Sequence, residues 1–339
     1  MTTITKKPTR LPRMKDHALI GDAEKFPISA PTPVISVSPV ILSAPDRIID
    51  LHLRVSAPIT GSELPIILLS HGQGRSNNLS SLNGYSPLAN FWAAHGFVVI
   101  QPTHLSSKTL SLGADSSSEA PLFWRSRVLD MKIILDQLDK IETAFPQIKG
   151  RLDHSRIAVA GHSMGGHTAG MLMGARLIDP ENGSVVDLSD ARIKVGVLLA
   201  APGNGNGGIG LSQRVLTDYT FFRDYSVAEM ATPALVVVGD SDNSTHLSTR
   251  GSEWHTDPYH FSKGPKSLLT LVGGKHGLGG VSGYDTAEAA DDESPERLSV
   301  VQRVTWAYLR STLYPDDLVW HAACDAIGKL SSLGKVESK

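Results

Sequence analysis

The pentapeptide Gly161-His162-Ser163-Met164-Gly165 sets a hydroxyl among glycines, between the short apolar run RIAVA and the small-residue run GGHTAGMLMGAR. A serine hydroxyl is a weak nucleophile until a base takes its proton. Small neighbours are what a very tight strand-to-helix turn demands, because larger side chains there collide with the flanking backbone. Ser163 is therefore read as a nucleophile, with the unpaired N–H groups of the following helix beneath it. Of the thirteen histidines, His276 in GGKHGLGG is placed best to serve as base, directly after the apolar run SLLTLVG. VVVGDSDN offers two acids after another apolar run. The spacing of a glycine followed three positions later by an acid selects Asp242 to orient the imidazole, leaving Asp240 as the alternative and otherwise a turn residue. A carbonyl under attack also needs donors for its developing charge. LLSHGQG (68–74) turns sharply after an early strand, so the backbone N–H groups of Gln73 and Met164 are the expected pair. His162 and His167 flank the serine and are read as packing or pocket residues. His246, His255 and His260 share one loop, but no carboxylate stands at ligand spacing among them, so no metal site is expected.

These residues need a frame. RIIDLHLRVS alternates as a half-exposed strand does, while PIILLS, FVVIQP, RIAVA, RIKVGVLLAAP, PALVVVGD and KSLLTLVGG are short apolar runs of the buried-strand type. Between them lie helical patterns: YSPLANFWAAHG, Phe123 to Ile141, the segment after Ser163, and Leu298 to Leu313. Repeated strand and helix units predict an α/β protein with a mostly parallel sheet covered on both faces. Ligands bind at the carboxyl ends of such strands, and each candidate catalytic residue follows a strand directly. The glycine-rich PGNGNGGIGLS lacks the Lys-Ser/Thr ending of a phosphate loop and is read as a flexible loop.

Residues 1–45, rich in Pro, Ser, Thr and Lys, read as an N-terminal arm with an edge strand at Val34 to Val40; residues 46–315 form the main domain, with lid or loop segments near 203–230 and 243–264; residues 316–339 form a C-terminal tail. The loop at 280–295 is acidic. The chain of 339 residues has 41% hydrophobic and 19% charged residues, formal charge -2 and one cysteine, Cys324. Nothing there recruits nucleic acid or an anionic membrane, and an internal disulfide is excluded. Lys6, Lys7, Arg10, Arg13 and Lys15 are followed by no apolar run of export-signal length, and no stretch is long enough to span a bilayer. A cytoplasmic protein with a small-molecule partner is expected; oligomeric state is left open.

The order Ser163, Asp242, His276 is that of the α/β-hydrolase fold. SHGQG, AAHGFVVIQPTH, GHSMGG and WRSRVLDMKIILDQL resemble the α/β-hydrolase serine esterases grouped with dienelactone hydrolase, chlorophyllase and the platelet-activating-factor acetylhydrolases, over residues 47 to 313. The resemblance implies carboxylic ester hydrolysis through an acyl-serine intermediate, with no metal or organic cofactor. Dienelactone hydrolase uses a cysteine nucleophile, so its substrate is not implied. Residues 1–45 and 203–230 have no match in the group, and substrate choice rests with them.

The expectation is a serine carboxylesterase acting on a small to medium hydrophobic ester, held by some of Phe91, Trp92, Trp124, Leu211, Phe221, Phe222 and Trp254. An acyltransferase or a peptidase/amidase would use the same triad, and a ligand-binding protein would keep only the scaffold.

Overall fold

A computed structural model describes residues 17–113, 116–283, 287 and 290–339. The basic residues Lys6 to Lys15 lie outside them, as does part of the acidic 280–295 loop. In chain order the elements are α1 (His17–Ile20), β1 (Val34–Leu42), β2 (Leu51–Pro58), β3 (Leu64–Ser70), α2 (Ser86–Ala94), β4 (Val98–Pro102), α3 (Trp124–Asp136), α4 (Leu138–Ala144), β5 (Leu152–His162) and α5 (Met164–Leu172). They continue with β6 (Arg176–Ile178), β7 (Val185–Asp187), β8 (Ile193–Leu199), α6 (Gln213–Asp218), β9 (Ala234–Gly239), α7 (Asp257–His260), β10 (Lys266–Leu271), α8 (Pro295–Leu313), α9 (Val319–Lys329) and β11 (Gly334–Ser338).

Nine strands form one sheet in the order β1-β2-β4-β3-β5-β8-β9-β10-β11, and β6 and β7 make a separate hairpin. From β4 to β10 the pairings are parallel; β2, β1 and β11 join antiparallel. Alternation along the central strands divides the core. Ile66, Leu68, Ile157 and Val159 face α3, α4 and α5, whereas Ile67, Leu69, Ala158 and Ala160 face α2, α8 and α9. This is the α/β-hydrolase architecture, a mostly parallel sheet with helices on both faces.

Several local features differ from the sequence pattern. The helix expected from Phe123 to Ile141 breaks at Gln137, where φ is -123°, and α4 then packs against β1. Segments from both the arm and the tail enter the sheet. β1 and β11 are its two edge strands, and Pro39 sits in the irregular register between Val37 and Val40, where a missing N–H breaks no ladder. Amphipathic α9 buries Ala323 and Ile327 against the α8 face. Helix α8 begins as its sequence dictates: Ser294 Oγ accepts the Arg297 N–H at 3.2 Å, with Pro295 in the first turn. Among the described residues no helix is long and apolar enough to cross a membrane.

Candidate active site

Ser163 stands between β5 and α5 with φ 53° and ψ -118°, a conformation that L-residues rarely hold. The glycines around it are required by close approach. A Cβ on Gly161 would come within 2.0 Å of Gly165 O, one on Gly165 within 2.1 Å of Ser70 O, and one on Gly166 within 2.5 Å of Ala201 Cβ. The turn can therefore lie against β3 and β8 only with bare backbone at these positions. The half-exposed serine donates its own N–H to Leu199 O at 2.9 Å, which fixes the turn to β8. Its hydroxyl has no hydrogen-bond partner among the described residues.

His276 and Asp242 meet directly. His276 Nδ1 donates to Asp242 Oδ2 at 2.7 Å, so Nε2 is the end left to accept a proton. Asp242 is 1% exposed and also accepts from Ser244 Oγ at 2.6 Å. Burial pushes its carboxyl up, but the His276 hydrogen bond, with that of Ser244 beside it, helps hold it below the usual carboxylate range. Asp240 points elsewhere: it accepts from Gly273 N at 2.8 Å and Ser241 Oγ at 2.9 Å, fastening the turn after β9 to the turn after β10.

The His276 loop is tied to the serine turn through His162. Its Nε2 donates to the His276 carbonyl at 2.7 Å, so Nδ1 must accept, and it takes the Tyr85 hydroxyl at 2.8 Å. Tyr85 Oη in turn accepts the Gly72 N–H at 3.0 Å. Every donor and acceptor in this chain is matched with His162 neutral, and burial lowers its pKa to about 3. The 68–74 loop, the serine turn and the His276 loop are thus held by one ring and one phenol. Gly72 is needed here because a Cβ would fall 2.8 Å from Tyr85 Oη.

The backbone N–H groups of Gln73 and Met164 meet no hydrogen-bond partner among the described residues. Gln73 Oε1 is buried and equally unpartnered. Behind both segments lies Arg127 of α3, fully buried. Its guanidinium donates to His71 O, to Ser106 Oγ at 2.5 Å and to Thr168 Oγ1 at 3.1 Å. Thr168 Oγ1 passes a bond to Met164 O at 3.2 Å. Burial pulls the Arg127 pKa down to about 9, which leaves it cationic at neutral pH.

A second Ser-His-Asp constellation sits beside it, unsuspected from sequence. His104 Nε2 pairs with Ser70 Oγ at 2.9 Å and its Nδ1 with Asp130 Oδ2 at 2.8 Å. All three side chains have 0% exposure, so no substrate reaches Ser70. Atom types and spacing alone do not make a site; access does.

His167, one helical turn beyond Ser163, is boxed by Phe221, Phe222 and Tyr225, with both ring nitrogens unpartnered among the described residues. Phe221 stacks on Trp124 at 5.7 Å, and with Leu122 they line a cavity of about 230 Å³ whose walls include none of Ser163, Asp242 and His276. Phe91 and Trp92 correct the expected pocket list. They belong to the opposite face of the sheet, where Trp92 Nε1 donates to Thr305 Oγ1 of α8 at 3.1 Å. Leu211, Phe222 and Trp254 are buried with the Trp124 cluster. Of the loop histidines, His255 is buried beside Asp242, whereas His260 is exposed.

The fold is that of the α/β-hydrolases. Residues 34–177 match the Chlorophyllase family, a stretch that holds the 68–74 loop and Ser163 and ends before Asp242 and His276. The chain is also similar to the platelet-activating factor acetylhydrolase of Cavia porcellus, 24% identical over 142 residues, which cover 32% of this chain and 31% of that protein. The match thus spans under a third of the relative's length.

Proposed function

We propose that the protein is a serine hydrolase of carboxylic esters. Ser163 attacks the ester carbonyl while His276 Nε2 takes its proton, and Asp242 holds the ring in the tautomer that makes this possible. The same imidazole returns the proton to the departing alcohol, and water, activated in turn by His276, releases the acid from Ser163. The N–H groups of Gln73 and Met164 receive the charge on the tetrahedral oxygen. The observation that carries the reading is the 2.7 Å bond between His276 and Asp242, on a loop that His162 fastens to the serine turn. The likeness to the Chlorophyllase family and to an acetylhydrolase supports an ester as substrate. The substrate proposed is an ester with a small to medium hydrophobic group.

Transfer of the acyl group to another alcohol, or hydrolysis of an amide, would use the same residues. Product analysis with competing alcohols separates the first, and a matched anilide the second. The test of the main reading is a chromogenic ester panel of graded acyl length, run on wild type and Ser163→Ala. Turnover by wild type that falls about 10⁴-fold or more in the variant is expected. Equal turnover by both proteins contradicts the mechanism, and no turnover by either favours the binding-protein reading.

A further inference from the structure

The acid that orients His276 is shared with a second imidazole. His255, in the turn Gly251–Thr256, is 1% exposed, and its ring lies 5.4 Å from that of His276. Its Nδ1 is 2.8 Å from Ala201 O and its Nε2 is 3.2 Å from Asp242 Oδ2. A carbonyl oxygen can only accept, so the shorter contact takes the proton and Nδ1 is the N–H. Nε2 then presents a lone pair to a carboxylate oxygen that also only accepts. Two acceptors facing each other in a buried place repel unless a cation stands between them.

His276 Nδ1 lies 2.7 Å from the same oxygen, and the three ligand atoms are all within 4.8 Å of one another. An ion with tetrahedral bonds of about 2.0–2.1 Å to nitrogen and oxygen keeps neighbouring donors roughly 3.3 Å apart. The 3.2 Å contact already has that span, and the 2.7 Å contact needs only a small opening. An imidazole whose far N–H is bonded to a backbone carbonyl is also how metal-ligating histidines are oriented. The His276 side chain, 27% exposed, gives an ion a way in.

We propose that Asp242, His255 and His276 form a binding site for a zinc-like divalent ion, and that its occupation switches hydrolysis off. The inhibitory part rests on the reading of His276 as base. On binding, the His276 ring changes tautomer: Nδ1 gives up its proton, Nε2 takes one up and the ring stays neutral, so that the ion accepts lone pairs from two ring nitrogens and one carboxylate. A fourth position remains for water. With the ion on Nδ1 and the ring proton on Nε2, no lone pair is left to take the Ser163 proton.

The test titrates Zn²⁺ into ester turnover after chelator treatment and buffer exchange. Reversible inhibition of wild type, relieved by chelator, is expected. His255→Phe keeps the ring's bulk but removes the lone pair, and should raise the inhibitory zinc concentration at least about tenfold, the scale on which metal sites lose affinity with a partner. His260→Ala should leave it unchanged. Absent inhibition, or equal inhibition of wild type and His255→Phe, overturns the proposal. Calorimetry on Ser163→Ala keeps the site testable where turnover fails: one zinc per chain is expected, lost in Ser163→Ala/His255→Phe, and no binding refutes the site. Zinc binding by a protein that hydrolyses no ester would support the site while removing the esterase reading alone.

Discussion

His162 Nε2 lies 2.7 Å from the main-chain oxygen of His276, so the residue before the serine holds the loop that carries His276. That bond needs a proton on Nε2, and the Tyr85 hydroxyl on Nδ1 secures it. Tyr85→Phe removes the donor to Nδ1 and leaves the Gly72 N–H unpaired. Turnover should fall by roughly tenfold or more through misplacement of the base, with a smaller change in KM. Steady-state kinetics of Tyr85→Phe check this. Unchanged kcat would mean that the linkage is only structural.

Asp242 and Asp240 stand two residues apart yet have different surroundings. Asp242 is buried on His276, and Asp240 is an exposed brace for Gly273. Asp242→Asn should lower kcat by about 10⁴-fold, because the amide favours the wrong imidazole tautomer. Asp240→Asn should change kcat only a few-fold. The reverse ranking, measured side by side, would reassign the acid.

Arg127 reaches both segments proposed to hold the oxyanion, the 68–74 loop through His71 O and the start of α5 through Thr168. Arg127→Met should depress kcat, up to the 10² to 10³ range that follows loss of one such donor, with KM little altered. Arg127→Lys, which keeps the charge without the fork, should fall between. Thermal melts of each variant separate this from loss of fold, and a folded Arg127→Met with wild-type kcat would contradict it.

Lys266 is buried in β10, with Nζ donating to Met230 O at 3.1 Å and Lys263 O at 2.5 Å. Burial, with the Lys339 charge adding to it, lowers its pKa to about 8. Below that value folded and unfolded chains both hold the proton, and the full cost of burying the cation is present. Between about pH 8 and the ordinary lysine value of about 10.4, the unfolded chain binds more protons, so stability rises with pH. Wild type should therefore gain stability relative to Lys266→Met from pH 8 to pH 10. Urea melts at the two pH values give the difference, and a constant gap would count against the shifted pKa.

Much of this was legible in the sequence because each signal was local. Apolar runs broken by turn residues marked the parallel strands, and the small residues at Gly161, Gly165 and Gly166 marked the serine turn. Asp242 and His276 followed from position after a strand, and the structure brings those two side chains together. What stayed hidden was long-range. Tyr85 to His162, Arg127 to His71 and His255 to Asp242 join residues 13 to 77 positions apart, with no periodicity to mark them. The carboxylate beside His255 is that of Asp242, from the turn after β9, which spacing within the 243–264 loop does not reveal. An aromatic residue's type does not reveal which face of a sheet it will cover, and Phe91 and Trp92 lie on the α8 side.

The most direct test is to trap the intermediate. A fluorophosphonate, which captures an activated serine, should add to one site per chain, and peptide mass spectrometry should place it on Ser163, with Ser163→Ala unlabelled. Ser70, with its own histidine and aspartate in place but no exposure, is the internal control and should stay unmodified. Ester turnover with no adduct on Ser163, or an adduct on another serine, would contradict the account.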